Sequence, residues 1–105
     1  MTCVVWKHAL DTTNGNIVTV SLPAHAKICH FGYQSDGLGG YGLFIWEAHD
    51  ENWESIPQNR TFLIAGTGST FEGDINEDLS FIKSTQVPDP NNAGSEFVFH
   101  LFEAH

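Results

Sequence analysis

Short runs of alternating apolar and polar residues recur along this chain. Glycine, proline, asparagine and aspartate separate the runs, a pattern typical of antiparallel strands joined by tight connections. Helical periodicity is almost absent. We therefore predict an all-β chain of about seven strands: Cys3–Leu10, Asn16–Leu22, Ala26–Gln34, Tyr41–Ala48, Arg60–Ala65, Ser80–Val87 and Glu96–Glu103.

These strands are expected to form a single domain over residues 1–105, either a compact antiparallel sandwich or a partly closed barrel. The fourth strand is apolar on both parities and is predicted to be central. Asn14-Gly15 is a strong hairpin signal between the first two strands. At most one short helical turn is expected, where Asp74 and Glu77 have the spacing of a capping box.

The fifth strand runs into Gly66-Thr67-Gly68, the most motif-like stretch of the chain. A phosphate-binding loop needs a longer glycine span, a lysine and a following helix. In this chain the glycines are followed by the carboxylates Glu72 and Asp74, which would repel phosphate. We interpret the stretch as a bulge or bent strand end.

The net charge of −9 disfavours direct contact with nucleic acid, which needs clustered cations. The same charge would attract a basic protein. Two interpretations remain open for the acidic segment between Glu47 and Asp78: solvated loops or an acidic docking patch. Its carboxylates are Glu47, Asp50, Glu51, Glu54, Glu72, Asp74, Glu77 and Asp78.

No pattern of catalytic or metal-binding residues stands out. A nucleophile-elbow motif is missing, and His25, Cys29 and His30 lack the spacing of a zinc site. The pairs Glu47/Asp50 and Asp74/Asp78 lack calcium-loop spacing. His100 is expected to be half-buried and hydrogen-bonded. We predict that the protein is not an enzyme and needs no metal or cofactor.

Cys3 and Cys29 are expected to be reduced thiols packed in strands. The N-terminal stretch does not resemble a signal peptide, and no segment is apolar enough to cross a membrane. A cytoplasmic protein that does not bind membranes is therefore expected.

Aromatic residues suggest where a partner could bind, because they are enriched at protein interfaces. Trp6 and Trp46 are predicted to be core residues, whereas Tyr33, Tyr41 and Trp53 lie in or beside loops. Alternatively, Trp53 folds back as a lid on the core. The predicted partner-binding residues are Trp53, Glu51, Glu54, Asp50, Asp74, Asp78 and Tyr41.

The order of several segments resembles a family of small bacteriophage-encoded proteins of unknown function. The segments are Trp6-Lys7, "SLPAHAKI" from Ser21, "RTFLIAGTG" from Arg60 and "FVFHLFE" from Phe97. The resemblance covers nearly the whole chain and carries no catalytic residues. It implies a protein made in the cytoplasm of an infected bacterium, where such proteins often inhibit host defence.

Three functions follow as hypotheses. The first is inhibition of a defence protein that binds nucleic acid, such as a CRISPR–Cas component, through the acidic loops. The second is an oligomer that sequesters a cyclic-nucleotide signal with Arg60, Gly66, Thr67 and Gly68 as ligand-binding residues. The third is a minor virion or assembly protein. Arg60 itself is expected to pair with a neighbouring carboxylate.

Overall fold

The computed structural model describes residues 1–53 and 56–105, and within these ranges the chain forms seven strands and no helix. Each of these strands begins and ends within about two residues of the predicted one. The strands are β1 (Cys3–Ala9), β2 (Ile17–Leu22), β3 (Lys27–Ser35), β4 (Tyr41–Asp50), β5 (Gln58–Gly66), β6 (Leu79–Pro88) and β7 (Glu96–Ala104).

Two antiparallel sheets enclose the core. The three-stranded sheet has the order β1-β4-β3, and the four-stranded sheet has the order β2-β5-β7-β6. The prediction of an all-β sandwich is confirmed, and the sheets do not close into a barrel among the described residues. The central place predicted for the fourth strand is also confirmed, since β4 pairs with β1 on one side and β3 on the other.

The hairpin predicted at Asn14-Gly15 is wrong. The turn itself forms, because Gly15 has a φ of 120° and its N–H donates to the carbonyl of Thr12 at 3.2 Å. However, β1 pairs with β4 and β2 pairs with β5, so the turn crosses between sheets. A local turn signal specifies backbone angles, whereas strand pairing depends on which faces can be buried together.

Inward-facing side chains of both sheets form what we call the apolar core. Alternation along β4 turns Ile45 inward, opposite Phe31 in the register of β3. The members, all buried, are Leu10, Val18, Leu22, Ala26, Ile28, Phe31, Ile45, Phe62, Ile64 and Leu101. Burial of these large side chains is the main source of stability in a sandwich of this size.

Both tryptophans predicted for the core lie elsewhere. Trp6 belongs to the edge strand β1 and is 45% exposed. Trp46 lies on the outer face of the three-stranded sheet, where it contacts the ring of His30 at 4.9 Å between centroids. An apolar residue on a strand can point to either face, and the sequence does not say which faces are covered.

The cysteines were expected to be packed, and this was wrong: Cys3 and Cys29 are both free and exposed. They lie on β1 and on β3, with β4 between them. Two strand spacings, about 9 to 10 Å, are too long for a disulfide without rearrangement. Among the described residues, no helix is long and apolar enough to cross a membrane.

A candidate binding cavity beside a buried Glu–His cluster

Buried polar groups and a cavity lie at one end of the sandwich, and the burial of apolar side chains does not explain them. Strand β4 ends there at Asp50, beside the start of β1, because Cys3 is the register partner of Asp50. Residues 23–26 connect β2 to β3 at the same end, and β5 begins there, since Leu22 pairs with Gln58. The loops 10–16, 36–40 and 89–95 lie at the opposite end.

A carboxylate is fully buried near this end. Glu47 follows Ile45 on the inward face of β4 and has 0% exposure. His8 Nε2 donates to Glu47 Oε2 at 2.7 Å, and His49 Nδ1 donates to Glu47 Oε1 at 2.6 Å. Two N–H donors offset much of the cost of removing a carboxylate from water. Glu47 was predicted to belong to the acidic surface segment, and the structure corrects this.

A second, partly buried ionic group comes from the four-stranded sheet. Arg60 Nε and Nη2 donate to the two oxygens of Glu103, both at 2.6 Å, and Nη1 donates to the carbonyl of Ala26. Both side chains are 19% exposed. The bonds from Glu103 raise the pKa of Arg60, although burial acts in the opposite direction, and Glu47 adds a smaller favourable field. The predicted pairing of Arg60 with a carboxylate is confirmed.

We call His8, Glu47, His49, Arg60 and Glu103 the polar cluster. Sequence reasoning missed three of its members: His8, His49 and Glu103. A signal existed for His49, because it follows Glu47 by two residues and therefore shares its strand face. No local pattern relates His8 or Glu103 to their partners, which lie 39 and 43 residues away in sequence.

His49 has one nitrogen without a partner. Its side chain has 0% exposure, and Nε2 is buried with no hydrogen-bond partner among the described residues. Buried polar atoms are usually bonded, so this nitrogen is an exception among the described side chains.

A cavity of about 550 Å³ adjoins His49 and opens to solvent. Trp53, half-buried, stands at its wall with its ring edge-on to His49, 6.2 Å between centroids. Two hydrogen bonds to Asp50 hold the segment that follows β4. Its carboxylate accepts the N–H of Asn52 at 3.0 Å, and its carbonyl accepts the N–H of Trp53 at 3.1 Å. The lining residues are Met1, Cys3, Ala24, His25, Lys27, Ala48, His49, Asp50, Asn52 and Trp53.

The predicted partner-binding residues divide into two groups. Trp53 and Asp50 line the cavity, and exposed Glu51 adjoins them, with its N–H bonded to the carbonyl of Thr2. Trp53 thus folds back against His49, in agreement with the alternative interpretation. Tyr41 lies at the opposite end, 68% exposed and stacked on Tyr33. Glu54 lies outside the described residues.

Asp74 and Asp78 reach the same end from the connection between β5 and β6. The Asp78 carbonyl accepts the N–H of His105, and the Asp78 carboxylate accepts the N–H of Asp74 at 3.0 Å. The Asp74 carboxylate bonds the N–H of Asn76, so the contacts predicted for a capping box with Glu77 are replaced by a compact turn. A smaller cavity of about 230 Å³ lies beside it, lined in part by Glu72 and Asp78.

Gly66, Thr67 and Gly68 form the turn that ends β5. The N–H of Thr67 donates to Val98 at 3.0 Å, and the N–H of Ser69 donates to Gly66 at 3.0 Å. Gly68 has a φ of 88°, which favours glycine. Backbone and side-chain donors of Thr67 and Arg60 are therefore already engaged, and phosphate binding at these residues would have to displace these bonds.

His100 is half-buried and bonded on both nitrogens, to Thr67 at 2.8 Å and to Ser84 at 2.7 Å, as predicted. Among residues 1–53 and 56–105, no group of three or more potential ligands is arranged to hold a metal ion. Cys3 lines the cavity with His49, yet no hydrogen bond joins the two side chains in this part of the chain.

Comparison with known proteins yields a family and no activity. No curated protein and no solved structure matches the chain. A family model described as a domain of unknown function, DUF7352, matches residues 1–105. Because that match spans the sequence from Met1 to His105, the chain belongs to the DUF7352 family.

Proposed function

We propose that this protein acts by binding a basic protein at the end of the sandwich described above, which we call the acidic end. One observation carries the proposal. The strand topology brings carboxylates from two connections, well separated in sequence, to the same end as the cavity. Its described carboxylates are Asp50, Glu51, Asp74, Glu77 and Asp78.

The partner that fits this surface is a protein with a basic cleft that normally holds nucleic acid. Exposed carboxylates would occupy the positions of phosphates, and opposite charge accelerates encounter. Given the resemblance to phage-encoded proteins, we propose a host defence protein as the partner, such as a CRISPR–Cas component, met in the cytoplasm of an infected bacterium. Binding would then inhibit that protein by competition with its nucleic acid.

Affinity purification of a tagged copy from infected cells would identify the partner, and purified components would then test the mechanism. A variant with Asp50→Asn, Glu51→Gln, Asp74→Asn and Asp78→Asn removes four charges and keeps the turn acceptors. We expect its association rate to fall about tenfold or more at low salt. Added nucleic acid should compete with the wild-type protein for the partner.

The matched control neutralises carboxylates at the opposite end: Asp11→Asn, Asp36→Asn, Asp89→Asn and Glu96→Gln. This variant carries the same net charge as the first and should bind nearly as fast as wild type. If the association rate fell equally in both variants, net charge alone would explain the effect. That outcome would contradict a binding site at the acidic end. Binding that is insensitive to salt would contradict the electrostatic mechanism.

A further inference from the structure

A row of apolar side chains crosses the outer face of the four-stranded sheet. Phe62 points into the apolar core, so its neighbour Leu63 points outward. Leu63 is the register partner of Ile17 on β2 and of Phe102 on β7, and Phe102 is the partner of Phe81 on β6. Because cross-strand partners lie on the same face, the row spans all the strands of this sheet.

The connection between β5 and β6 covers the middle of this row and leaves both ends open. Phe71 contacts Phe102 with 5.5 Å between ring centroids, and Leu63 is only 8% exposed. At the ends of the row, Ile17 is 70% exposed and Phe81 is 58% exposed. Apolar residues joined in this way differ from the single exposed ones that are normal on a protein surface.

A groove of about 230 Å³ lies between Ile17 and that connection. This volume is below the range of about 300–1,000 Å³ that is usual for small-molecule sites, and it suits one side chain of a protein. Most of the wall is apolar, so the side chain that fits is aliphatic. The lining residues are Ile17, Thr61, Phe62, Leu63, Glu72, Gly73, Asp78, Leu79, Ala104 and His105.

The acidic groups of the groove select the neighbours of that side chain. Glu72 and Asp78 are exposed, and no lysine or arginine lines the groove in the described part of the chain. The Asp78 carboxylate is held in place by the N–H of Asp74 at 3.0 Å. The ring of His105 is bonded to the Ser80 hydroxyl. Carboxylates beside an apolar wall favour a segment in which an aliphatic residue adjoins a cation.

We propose that this groove binds an aliphatic side chain of the basic partner, and that Glu72 and Asp78 pair with a lysine or arginine beside it. The inference rests on the proposed function, since the partner is the protein that the acidic end attracts, and Asp78 belongs to both surfaces. Charge at the acidic end acts at long range and sets the association rate. Contact in the groove acts at short range and sets the dissociation rate.

The test uses acetyl-Lys-Leu-Lys-amide as the probe. Two comparison peptides replace either its leucine by serine or both of its lysines by glutamate. NMR of the methyl groups of Ile17, Leu63 and Leu79 follows the titration of each peptide into the full chain. We expect the probe to shift these signals with saturation in the millimolar range, and both comparison peptides to bind about tenfold or more weakly.

Each peptide isolates one part of the proposal. If the serine peptide bound as tightly as the probe, the apolar contact would be wrong. If the glutamate peptide did so, the pairing with Glu72 and Asp78 would be wrong. Shifts confined to residues outside the groove, or no shift at all, would overturn the site.

Variants locate the effect. Ile17→Ala shortens the exposed wall and should weaken binding of the probe about three- to tenfold. Glu72→Gln removes one charge and should weaken it about two- to fivefold. The matched controls at the opposite end are Leu38→Ala, at a side chain 91% exposed, and Glu96→Gln, and they should bind the probe as wild type does. Undiminished binding in both groove variants would contradict the site.

The outcomes separate this inference from the function on which it rests. With the partner identified, Ile17→Ala should raise its dissociation rate and leave its association rate nearly unchanged. If the four-charge variant associates slowly while Ile17→Ala and Glu72→Gln bind both probe and partner like wild type, the proposed function stands and the groove is wrong. If the probe binds in the groove but the four-charge variant keeps its association rate, the groove is correct and the proposed function fails.

Discussion

The apolar core and the polar cluster occupy the same inter-sheet layer but have different architectures. The apolar core joins residues from both sheets through nondirectional contacts, so apolar side chains of similar volume can replace one another there at modest cost. The polar cluster depends on directed bonds of 2.6 to 2.7 Å between groups that are costly to bury alone. Replacement of a buried ion pair by apolar residues of similar volume is often neutral for stability, so the polar cluster is weaker evidence of stabilisation than the apolar core.

The largest expected effect is in the apolar core. Phe62→Ala removes a fully buried ring and should lower the free energy of unfolding by about 3–5 kcal/mol. Urea denaturation measures this. Ile17→Ala, at a side chain 70% exposed, is the control and should change stability by about 0.5 kcal/mol or less. Similar losses from the two variants would break the distinction between core and surface.

The polar cluster should respond to pairwise replacement differently from the core. Arg60→Met leaves Glu103 unpaired and should cost about 2–3 kcal/mol, less than a fully buried pair because both side chains are partly exposed. Arg60→Met with Glu103→Leu should recover most of that loss. A double-mutant cycle measured by denaturation supplies the coupling. Additive losses would mean that the ion pair does not act as a unit.

A substitution at Gly68 tests whether the turn after β5 serves only the fold or also binds the partner. Gly68→Ala places a side chain at a φ of 88° and should cost about 1–2 kcal/mol. Gly42→Ala is the matched control, because the nearest atom to its new Cβ lies 3.9 Å away and its φ is not in the left-handed region. Partner binding by folded Gly68→Ala protein should equal wild type. If the folded Gly68→Ala protein bound the partner more weakly than wild type, the partner-binding surface would have to include this turn.

The smallest effect concerns Asp11, in the loop at the opposite end. The Thr13 hydroxyl, and then the Thr13 N–H, bond its carboxylate and lower the pKa of Asp11 below the usual aspartate value. Because the folded pKa is depressed, this contribution to stability is present above the unfolded pKa. It is lost as the pH falls through the folded pKa. NMR titration of Thr13→Ala should show the Asp11 pKa rising toward its usual value, and an unchanged pKa would contradict the assignment.

Much of the fold was accessible from local pattern. Alternation and turn residues placed the seven strands, the central position of β4 and the turn at Gly66-Thr67-Gly68. The pairing of Arg60 was expected because a cation among carboxylates rarely stays unpaired. The errors share one cause. The hairpin at Asn14-Gly15, the core positions of Trp6 and Trp46, and the exposure of Glu47 all depended on which strand lies beside which.

The sequence by itself determined the secondary structure, since the period of two and the turn residues act over a few residues. Only the tertiary structure decided that Glu47 is buried between His8 and His49, and that Asp50 and Asp78 lie at the same end. Those facts depend on strand order and register, which arise from long-range burial. The candidate site is made largely of such long-range neighbours, and for that reason it was not visible in the sequence.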